Sequence, residues 1–439
     1  MTRIVRAALA ALGGAVGLVA PVAAQSAEAE TRALAEHPAI RAAFDAVEAM
    51  RERTLADHIA LTGVAAPPFM EDERARVYAG WLREAGADSV FIDEEGNVVA
   101  LRHGRGGPRA ATDDGGRRRT VAISGHLDTV FPPELDVAVT QRGDTLFAPG
   151  IGDDTRGLIA VLTVLRALEQ TGIETQADVR IIGTVGEEGL GDLRGMKHLF
   201  RDGADPIDAW IDLDGTGMGR IVNKGLGSYR YRVTFRGPGG HSWGAFGLAN
   251  PAHALGRAIR HFQDAADTLT RSGPRTSYNV GRMGGGTSVN SVPFEAWMEV
   301  DMRSVSPESL DRIDAAFRAA MARALDEENA LRRDGPALEL ELDRIGDRPS
   351  GEIPDDHPLV VRAETATRLM GAEPSLARSS TDSNIPIALG IPAVTIGSGG
   401  EGGGAHSPGE WWIDRDSHLA VQAALLILVS EAGLAETIP

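Results

Sequence analysis

Residues 120–129 read TVAISGHLDT, a short apolar strand that ends in a polar turn. The same pattern returns at 179–185, 209–213 and 393–396, where apolar strands run into loops containing glycine with acidic or histidine residues. Helical spacing of apolar residues separates the strands, most clearly at 158–168. Strands that alternate with helices indicate an α/β fold whose mostly parallel sheet is covered on both faces.

A second domain interrupts this pattern. Helical spacing covers 29–61 and 71–85 ahead of the first strands, but residues 228–235 alternate as in a strand with one face in water. Strands and helices then follow in the order βαββαβ, which predicts an inserted ferredoxin-like domain. The predicted parts of the chain are a signal peptide at 1–24, a catalytic domain at 25–223 and 348–439, and the inserted domain at 224–347.

Composition narrows the possible partners and sites. The 439 residues include 62 Asp and Glu against 44 Lys and Arg, a formal net charge of −18. Such a chain lacks the cationic footprint that phosphate groups require, so neither nucleic acid nor a membrane is an expected partner. The absence of cysteine excludes disulfides, thiolate ligands and cysteine nucleophiles. Any metal ion must therefore be held by histidine and carboxylate side chains.

The first residues have the pattern of a secretory signal. Arg3 and Arg6 precede an apolar run at 7–20, and residues 22–24, VAA, have the small side chains of a signal-peptidase site. The run is short and rich in glycine and alanine, which disfavours the alternative of an uncleaved membrane anchor. We expect cleavage near Ala24 and a periplasmic or secreted protein.

The polar loops after the strands supply the residues that carry chemistry. The carboxyl ends of parallel strands share one sheet edge, so these loops should meet in one crevice. Imidazole and carboxylate groups, with no thiolate among them, form a donor set that suits a pair of divalent cations. A carboxylate that is not needed as a ligand can act as general base. Each residue alone could be a turn former or a solvated acid, so their convergence carries the prediction. The loops contribute His126, Asp128, Asp153, Asp154, Glu187, Glu188, Asp214 and His406.

Five strings, taken in order, resemble the co-catalytic dizinc exopeptidase family, which includes peptidase T, carboxypeptidase G, acetylornithine deacetylase and succinyl-diaminopimelate desuccinylase. The strings are GHLDTVFP at 125–132, GIGDDTRG at 150–157, TVGEEGLG at 184–191, GPGGHS at 237–242 and GGGAHSPGE at 402–410. The resemblance covers nearly the whole mature chain. It implies two divalent metal ions, with Zn expected and Mn or Co as alternatives.

The resemblance assigns the metal ligands residue by residue. One ion is held by His126, Asp153 and Asp214. The other is held by Asp153, Glu188 and His406, so that Asp153 bridges the pair.

The resemblance also assigns two residues beside the ligands. Asp128 accepts the imidazole N–H of His126 and so orients the ring. Glu187 is the general base, which takes a proton from the water between the two ions and returns it to the leaving amine.

By the same resemblance, the inserted domain is a lid through which the chain forms a homodimer. His241 matches a histidine that reaches the partner subunit's site and stabilises the oxyanion. Asn290 and Arg303 match contacts to a substrate carboxylate, which a guanidinium fork can grip. Arg303 also alternates with acidic residues such as Asp301, so a cross-strand ion pair is the competing explanation.

Two motifs favour other functions. GHSWG at 240–244 is a literal G-x-S-x-G, which would make Ser242 a serine nucleophile, but the preceding strand alternates with arginines and the next helix begins only at Pro251. Gly-Ile-Gly at 150–152 resembles a dinucleotide turn, but the two aspartates that follow would repel a pyrophosphate. A non-catalytic periplasmic solute-binding protein is a third possibility, against which the complete ligand set argues.

The predicted function is a metal-dependent exopeptidase that hydrolyses the amide bond of di- or tripeptides. DGTGMGRI at 214–221 most resembles the peptidase T-like branch. Deacylation of N-acyl amino acids by the same dimetal site is the main alternative. Asp382 departs from the commoner family pattern, and Trp411 and Trp412 could line a pocket or pack in the core.

Overall fold

A computed structural model describes residues 16–105 and 117–435. Its contacts divide the chain into two compact units. The α/β unit contains the residues up to Asn223 together with those from Glu352, and the inserted unit is Lys224–Gly351.

The helices and strands follow one another along both units. The helices are α1 (Val16–Ala35), α2 (Pro38–Ala49), α3 (Arg51–Thr62), α4 (Asp72–Glu84), α5 (Thr155–Thr171), α6 (Arg194–Leu199), α7 (Pro251–Thr270), α8 (Pro307–Leu331), α9 (Pro358–Leu369), α10 (Asn384–Ala388) and α11 (Ser417–Ala432). The strands are β1 (Ser89–Ile92), β2 (Val98–Arg102), β3 (Thr120–His126), β4 (Thr140–Arg142), β5 (Thr145–Phe147), β6 (Asp178–Thr184), β7 (Ala209–Leu213), β8 (Arg220–Gly225), β9 (Gly227–Arg236), β10 (Gly240–His241), β11 (Thr276–Gly285), β12 (Ser291–Val292), β13 (Glu295–Ser304), β14 (Glu339–Arg348), β15 (Gly351–Glu352), β16 (Ser375–Ser379), β17 (Ala393–Ile396), β18 (Glu401–Gly403) and β19 (Trp411–Ile413).

The central sheet of the α/β unit confirms the predicted fold class. Its strand order is β1-β2-β6-β3-β7-β17-β8-β15, with β16 paired to β8. β3 runs parallel to β6 and β7, and β17 runs parallel to β7, while β2 and β8 flank this block in the antiparallel direction. Every residue of β3 and β7 is buried, which explains why these strands read as continuous apolar runs.

The helical segment predicted at 29–61 is three helices, because the chain turns twice within it. Pro38 begins α2, where its missing N–H is no loss, and the His37 side chain accepts the N–H of Ala39 as an N-cap. A second turn at Met50 separates α2 from α3. The strand predicted at 120–124 is longer than expected and ends at His126, so the sheet itself holds this histidine.

The predicted signal segment lies only partly within the described residues, which begin at residue 16. α1 continues past Ala24, and its later residues Ala27 and Thr31 are buried. An ion pair of 3.1 Å between Glu30 and Arg362 joins α1 to α9. Within residues 16–105 and 117–435, the structure contains no helix with the length and apolar character needed to span a bilayer.

The inserted unit has the predicted βαββαβ order and a four-stranded antiparallel sheet, β11-β13-β9-β14. Helices α7 and α8 pack against one face of this sheet, where alternate residues of β13 from Ala296 to Met302 are buried. Phe317 of α8 is fully buried in this core, 5.0 Å from the ring of Tyr231 and 5.1 Å from that of Phe262. Three aromatic rings in tilted and edge-to-face contact therefore join both helices to the sheet.

Replacing Phe317 by alanine should destabilise the inserted unit by about 3–5 kcal/mol, because a large buried ring leaves a cavity. Denaturant unfolding monitored by circular dichroism measures the loss. Phe294→Ala is the matched control, since that ring is 54% exposed in the same unit and should cost far less. Equal destabilisation by the two variants would contradict this account of the core.

Candidate metal centre

The predicted site residues of the α/β unit lie at one edge of its central sheet. His126 is the last residue of β3, Glu187 and Glu188 follow β6, and Asp214 follows β7. Because β3 lies between β6 and β7, the carboxyl ends of these parallel strands are neighbours.

Two loops complete the set. Asp153 immediately precedes the N-terminal turn of α5, and His406 lies between β18 and β19. Three groups of potential ligand atoms each fall within 4.8 Å of one another: His126 with Asp153 and Asp214, Asp153 with Glu188 and His406, and His126 with Glu187 and Glu188. The first two groups match the two predicted ligand sets.

Asp153 lies between the two histidines. Its Oδ1 is 3.0 Å from Nε2 of His126, and its Oδ2 is 3.2 Å from Nε2 of His406. Nε2 of His406 also lies 2.8 Å from Oε1 of Glu188. A carboxylate with one oxygen directed at each histidine is the arrangement that two neighbouring cations require of a shared ligand.

Asp128 contacts its neighbours through two different groups. Nδ1 of His126 lies 3.0 Å from the backbone carbonyl oxygen of Asp128 and 3.8 Å from its carboxylate. A carbonyl only accepts, so Nδ1 carries a hydrogen, and Nε2 is the ring atom that would bind a metal. The carboxylate instead accepts the backbone N–H groups of Glu187 and Glu188, at 3.1 and 2.8 Å.

Asp154 has a structural role that separates it from Asp153. Its side chain is fully buried, and the peptide bond between the two aspartates is cis. Oδ1 of Asp154 accepts the N–H of Gly157 in the first turn of α5, and Oδ2 accepts the N–H of His126. One aspartate of the pair therefore faces the cluster while the other fastens α5 to β3.

Burial and neighbouring negative charges disfavour the ionised form of several carboxylates at this sheet edge, which raises their pKa values. Burial first, and then the charge of Asp153, raises the pKa of Asp214 to about 8. Burial likewise raises the pKa of Asp212 and of Asp382 to about 7 each. Buried acids in such surroundings require a proton or a nearby cation, and oxygen and imidazole donors suit a divalent ion. The residues present therefore fit a metal centre.

The pKa values of the two histidines are also raised, which for an imidazole favours the charged form. Hydrogen bonds to Asp153 and Glu188 raise the pKa of His406 to about 10. Burial opposes the charge on His126, yet its hydrogen bond to Asp153 and the surrounding acids raise its pKa well above the usual value. Burial alone would raise the pKa of Asp153, but its hydrogen bonds to the two histidines lower it. Both rings thus occupy positions that favour positive charge.

A second layer of buried acids was not found from the sequence. Asp212 accepts the hydroxyl groups of Ser124 at 2.7 Å and Thr395 at 3.2 Å. Asp382, to which the sequence gives no role, is fully buried and accepts the hydroxyl of Thr184. The available signal for Asp212 was an acid inside the otherwise apolar strand AWIDL.

Two predicted residues of the inserted unit lie beside each other. β10 pairs with β12, and the N–H of Ser242 donates to the carbonyl of Asn290 at 2.9 Å. Nδ1 of His241 accepts the backbone N–H of Trp243 at 3.2 Å, so the neutral ring carries its hydrogen on Nε2. Oδ1 of Asn290 accepts the hydroxyl of Ser288 at 2.6 Å, which leaves the amide N–H₂ as donor.

Arg303 lies elsewhere on the inserted unit, in the ladder of charges on its sheet. Its Nε is 2.8 Å from Oδ2 of Asp301, whose Oδ1 pairs with Arg230 of the neighbouring strand at 3.0 Å. Arg232 and Glu299 form the next pair of this ladder, at 2.9 Å. Arg303 therefore forms an ion pair, but with Asp301 of its own strand β13, whereas the sequence predicts a pair across strands.

The structure also decides between competing interpretations of single residues. Ser242 lies in a turn after a strand of only two residues, and α7 begins at Pro251, so the strand–turn–helix context of a nucleophile elbow is missing there. Trp412 is buried at 1% exposure with its ring 4.7 Å from that of His58, which makes it a core residue. Trp411 is half-buried against Gly403.

Comparison with known proteins agrees with this geometry. The chain matches peptidase family M20/M25/M40 over residues 122–430. It belongs to this family. It is 26% identical over 357 residues to the protein YqjE of Bacillus subtilis, covering 80% of this chain and 91% of that one. It is also 26% identical over 394 residues to acetylornithine deacetylase of Myxococcus xanthus, covering 85% and 92%.

A solved structure shows the same fold. The aminopeptidase PepT from Bacillus cereus superposes with a TM-score of 0.66 at 23% identity, over 87% of this chain and 99% of that one. The predicted family and fold are thereby confirmed. The protein is a metal-dependent amide hydrolase, a peptidase or deacylase, of a family that uses two divalent metal ions, typically zinc.

Proposed function

We propose that this M20/M25/M40 family member is an exopeptidase that hydrolyses di- and tripeptides. The observation that carries the proposal is the position of Asp153 between His126 and His406, with Glu187 and Glu188 held beside it. His126, Asp153 and Asp214 would hold one divalent ion. Glu188 and His406 would hold the second together with the same Asp153.

When bound, such ions act as Lewis acids toward the scissile carbonyl and make water more acidic. Glu187 accepts the proton of the attacking water and delivers it to the leaving amine. Its burial at 6% exposure supports this role, because a carboxylate shielded from solvent keeps the proton it has taken close to the substrate. Asp128 holds the Glu187 backbone, which limits the positions that the carboxylate can take.

The inserted unit offers two oriented donors for the substrate. Nε2 of His241 and the amide nitrogen of Asn290 are both donors. Each side chain is oriented by a hydrogen bond to its other polar atom, Nδ1 of His241 or Oδ1 of Asn290. Neutral donors of this kind stabilise an oxyanion or a substrate carboxylate. In this proposal His241 serves the active site of the partner subunit in a homodimer.

Deacylation of N-acyl amino acids is the second candidate, favoured by the similarity to acetylornithine deacetylase along 85% of the chain. Both reactions break an amide bond with the same residues. They differ in the acyl group that contains the scissile carbonyl. In a peptide this group is an amino acid residue with a free α-amino group, and in an N-acyl amino acid it is a simple acyl group such as acetyl. Substrate preference therefore separates the two.

Removing the metal ions should abolish activity, because the clustered imidazole and carboxylate groups cannot themselves polarise the scissile carbonyl as a Lewis acid does. The measurement is a panel of dipeptides, tripeptides and N-acyl amino acids before and after chelation and after addition of Zn, Mn or Co. Peptide turnover that chelation removes and metal restores is expected, whereas a preference for N-acyl amino acids would support the second candidate. Activity that survives chelation but is lost to an organophosphate would contradict both.

The neighbouring glutamates should separate metal binding from proton transfer. Glu187→Gln should keep both ions and lower kcat by about 10²- to 10⁴-fold, because the amide cannot accept the water's proton. Glu188→Gln, one residue away, should lower metal content as well as rate. Metal analysis and steady-state kinetics on both variants provide the readouts. A Glu187→Gln enzyme with near-normal kcat would exclude the general-base role.

A shared active site makes a distinct prediction for His241. Mixing inactive Glu187→Gln homodimers with inactive His241→Ala homodimers should restore part of the activity, since a heterodimer contains one site with both residues intact. Subunit exchange followed by activity assay measures this, with each variant incubated alone as the control. A monomer in sedimentation, or exchange without recovery, would refute the partner role.

A further inference from the structure

Glu410 is a buried side chain that binds backbone N–H groups and has no role in the proposed mechanism. It is buried at 1% exposure in the α/β unit, four residues after His406. Its Oε2 accepts the N–H of Gly150 at 2.8 Å, and its Oε1 accepts those of Gly152 and Asp153 at 2.7 and 2.9 Å. One carboxylate therefore binds three backbone amides of the loop that ends in the shared aspartate.

The loop is shaped to receive this carboxylate. Gly150 has a φ of +75°, in the left-handed region that favours glycine. A Cβ on Gly152 would lie 3.1 Å from Oε1 of Glu410 and 2.8 Å from the Thr216 side chain. The Gly-Ile-Gly sequence that resembles a dinucleotide turn thus directs its backbone N–H groups at the Glu410 carboxyl group of its own chain.

Glu410 also joins two loops that supply ligands. Its N–H donates to the carbonyl of Ser407 at 3.1 Å, and its carbonyl accepts the N–H of Ala148 at 3.1 Å. The loop of His406 and the loop of Asp153 are consequently held together by one residue. Their side chains meet where Oδ2 of Asp153 lies 3.2 Å from Nε2 of His406.

We propose that Glu410 is a positioning residue that fixes Asp153 between the two metal positions. Charge-assisted hydrogen bonds to backbone amides are stronger than neutral ones, and three of them restrict the backbone at the shared ligand. The inference rests on the ligand assignment of the proposed function. Because Asp153 serves both ions, a disturbed Glu410 weakens the binding of both, whereas a disturbed His406 weakens one.

The test is zinc binding to Glu410→Gln, measured by competition with a chromogenic chelator and by metal analysis. The amide keeps the shape of the side chain but presents N–H to an N–H donor of the loop. We expect both zinc affinities to fall by about 10- to 100-fold, the usual effect of losing a group that supports a ligand. His406→Ala serves as the comparison in which only one zinc is lost.

Glu328→Gln is the matched structural control. Glu328 is buried at 4% exposure in the inserted unit, where it accepts the N–H of Asn250 at 2.9 Å and pairs with Arg257 at 3.1 Å. It should lower the melting temperature of the metal-free protein while zinc binding stays at the wild-type level. Loss of stability without loss of zinc affinity in Glu410→Gln as well would overturn the proposal.

A second variant keeps the test decisive if Glu410→Gln does not fold. In Gly152→Ala the added methyl group crowds the same carboxylate from the loop side, so the binding of both zinc ions should become weaker in the same way. Wild-type zinc affinity in this variant would also overturn the proposal. Failure of the ligand assignment looks different, because the wild-type protein would then bind no pair of zinc ions. Failure of the peptidase proposal would appear only in the substrate panel, with zinc binding unchanged.

Discussion

The burial of several carboxylates at one sheet edge is the constraint on which the site of the α/β unit depends. Asp153, Glu188 and Asp214 lie at one sheet edge, and Asp212 and Asp382 lie buried close to them. Burial alone would favour protonation of the four aspartates in this set, Asp153, Asp212, Asp214 and Asp382. The two histidines offset part of the negative charge, and divalent ions at this edge would offset the rest.

Two groups of acids at this edge differ in what their oxygens contact. Asp153 and Glu188 direct oxygens at the histidines. Asp128, Asp154 and Glu410 bind backbone N–H groups instead. The second group fixes the loops that hold the first, so the geometry of the cluster depends on carboxylates that would never touch a metal.

The charged side chains of the inserted unit are arranged differently from those of the α/β unit. One face of its sheet is covered by helices, and the other has arginine and acidic side chains paired across strands, such as Arg232 with Glu299. Exposed pairs of this kind contribute little stability individually. His241 and Asn290 lie outside this ladder, at a short strand pair where local hydrogen bonds orient the His241 ring and the Asn290 amide.

Sequence by itself determined the fold class, the βαββαβ order of the inserted unit and which loops meet at the sheet edge. These features depend on the spacing of apolar residues and on where each strand ends, and both are local properties of the chain. It also determined that any metal would have histidine and carboxylate ligands, since the chain has no cysteine. Tertiary structure decided which atom of Asp128 faces His126, that Arg303 pairs with Asp301, and that Glu410 holds the loop of Asp153. Glu410 and Asp153 are separated by 257 residues, and no periodicity along the chain can report a contact that only the folded backbone creates.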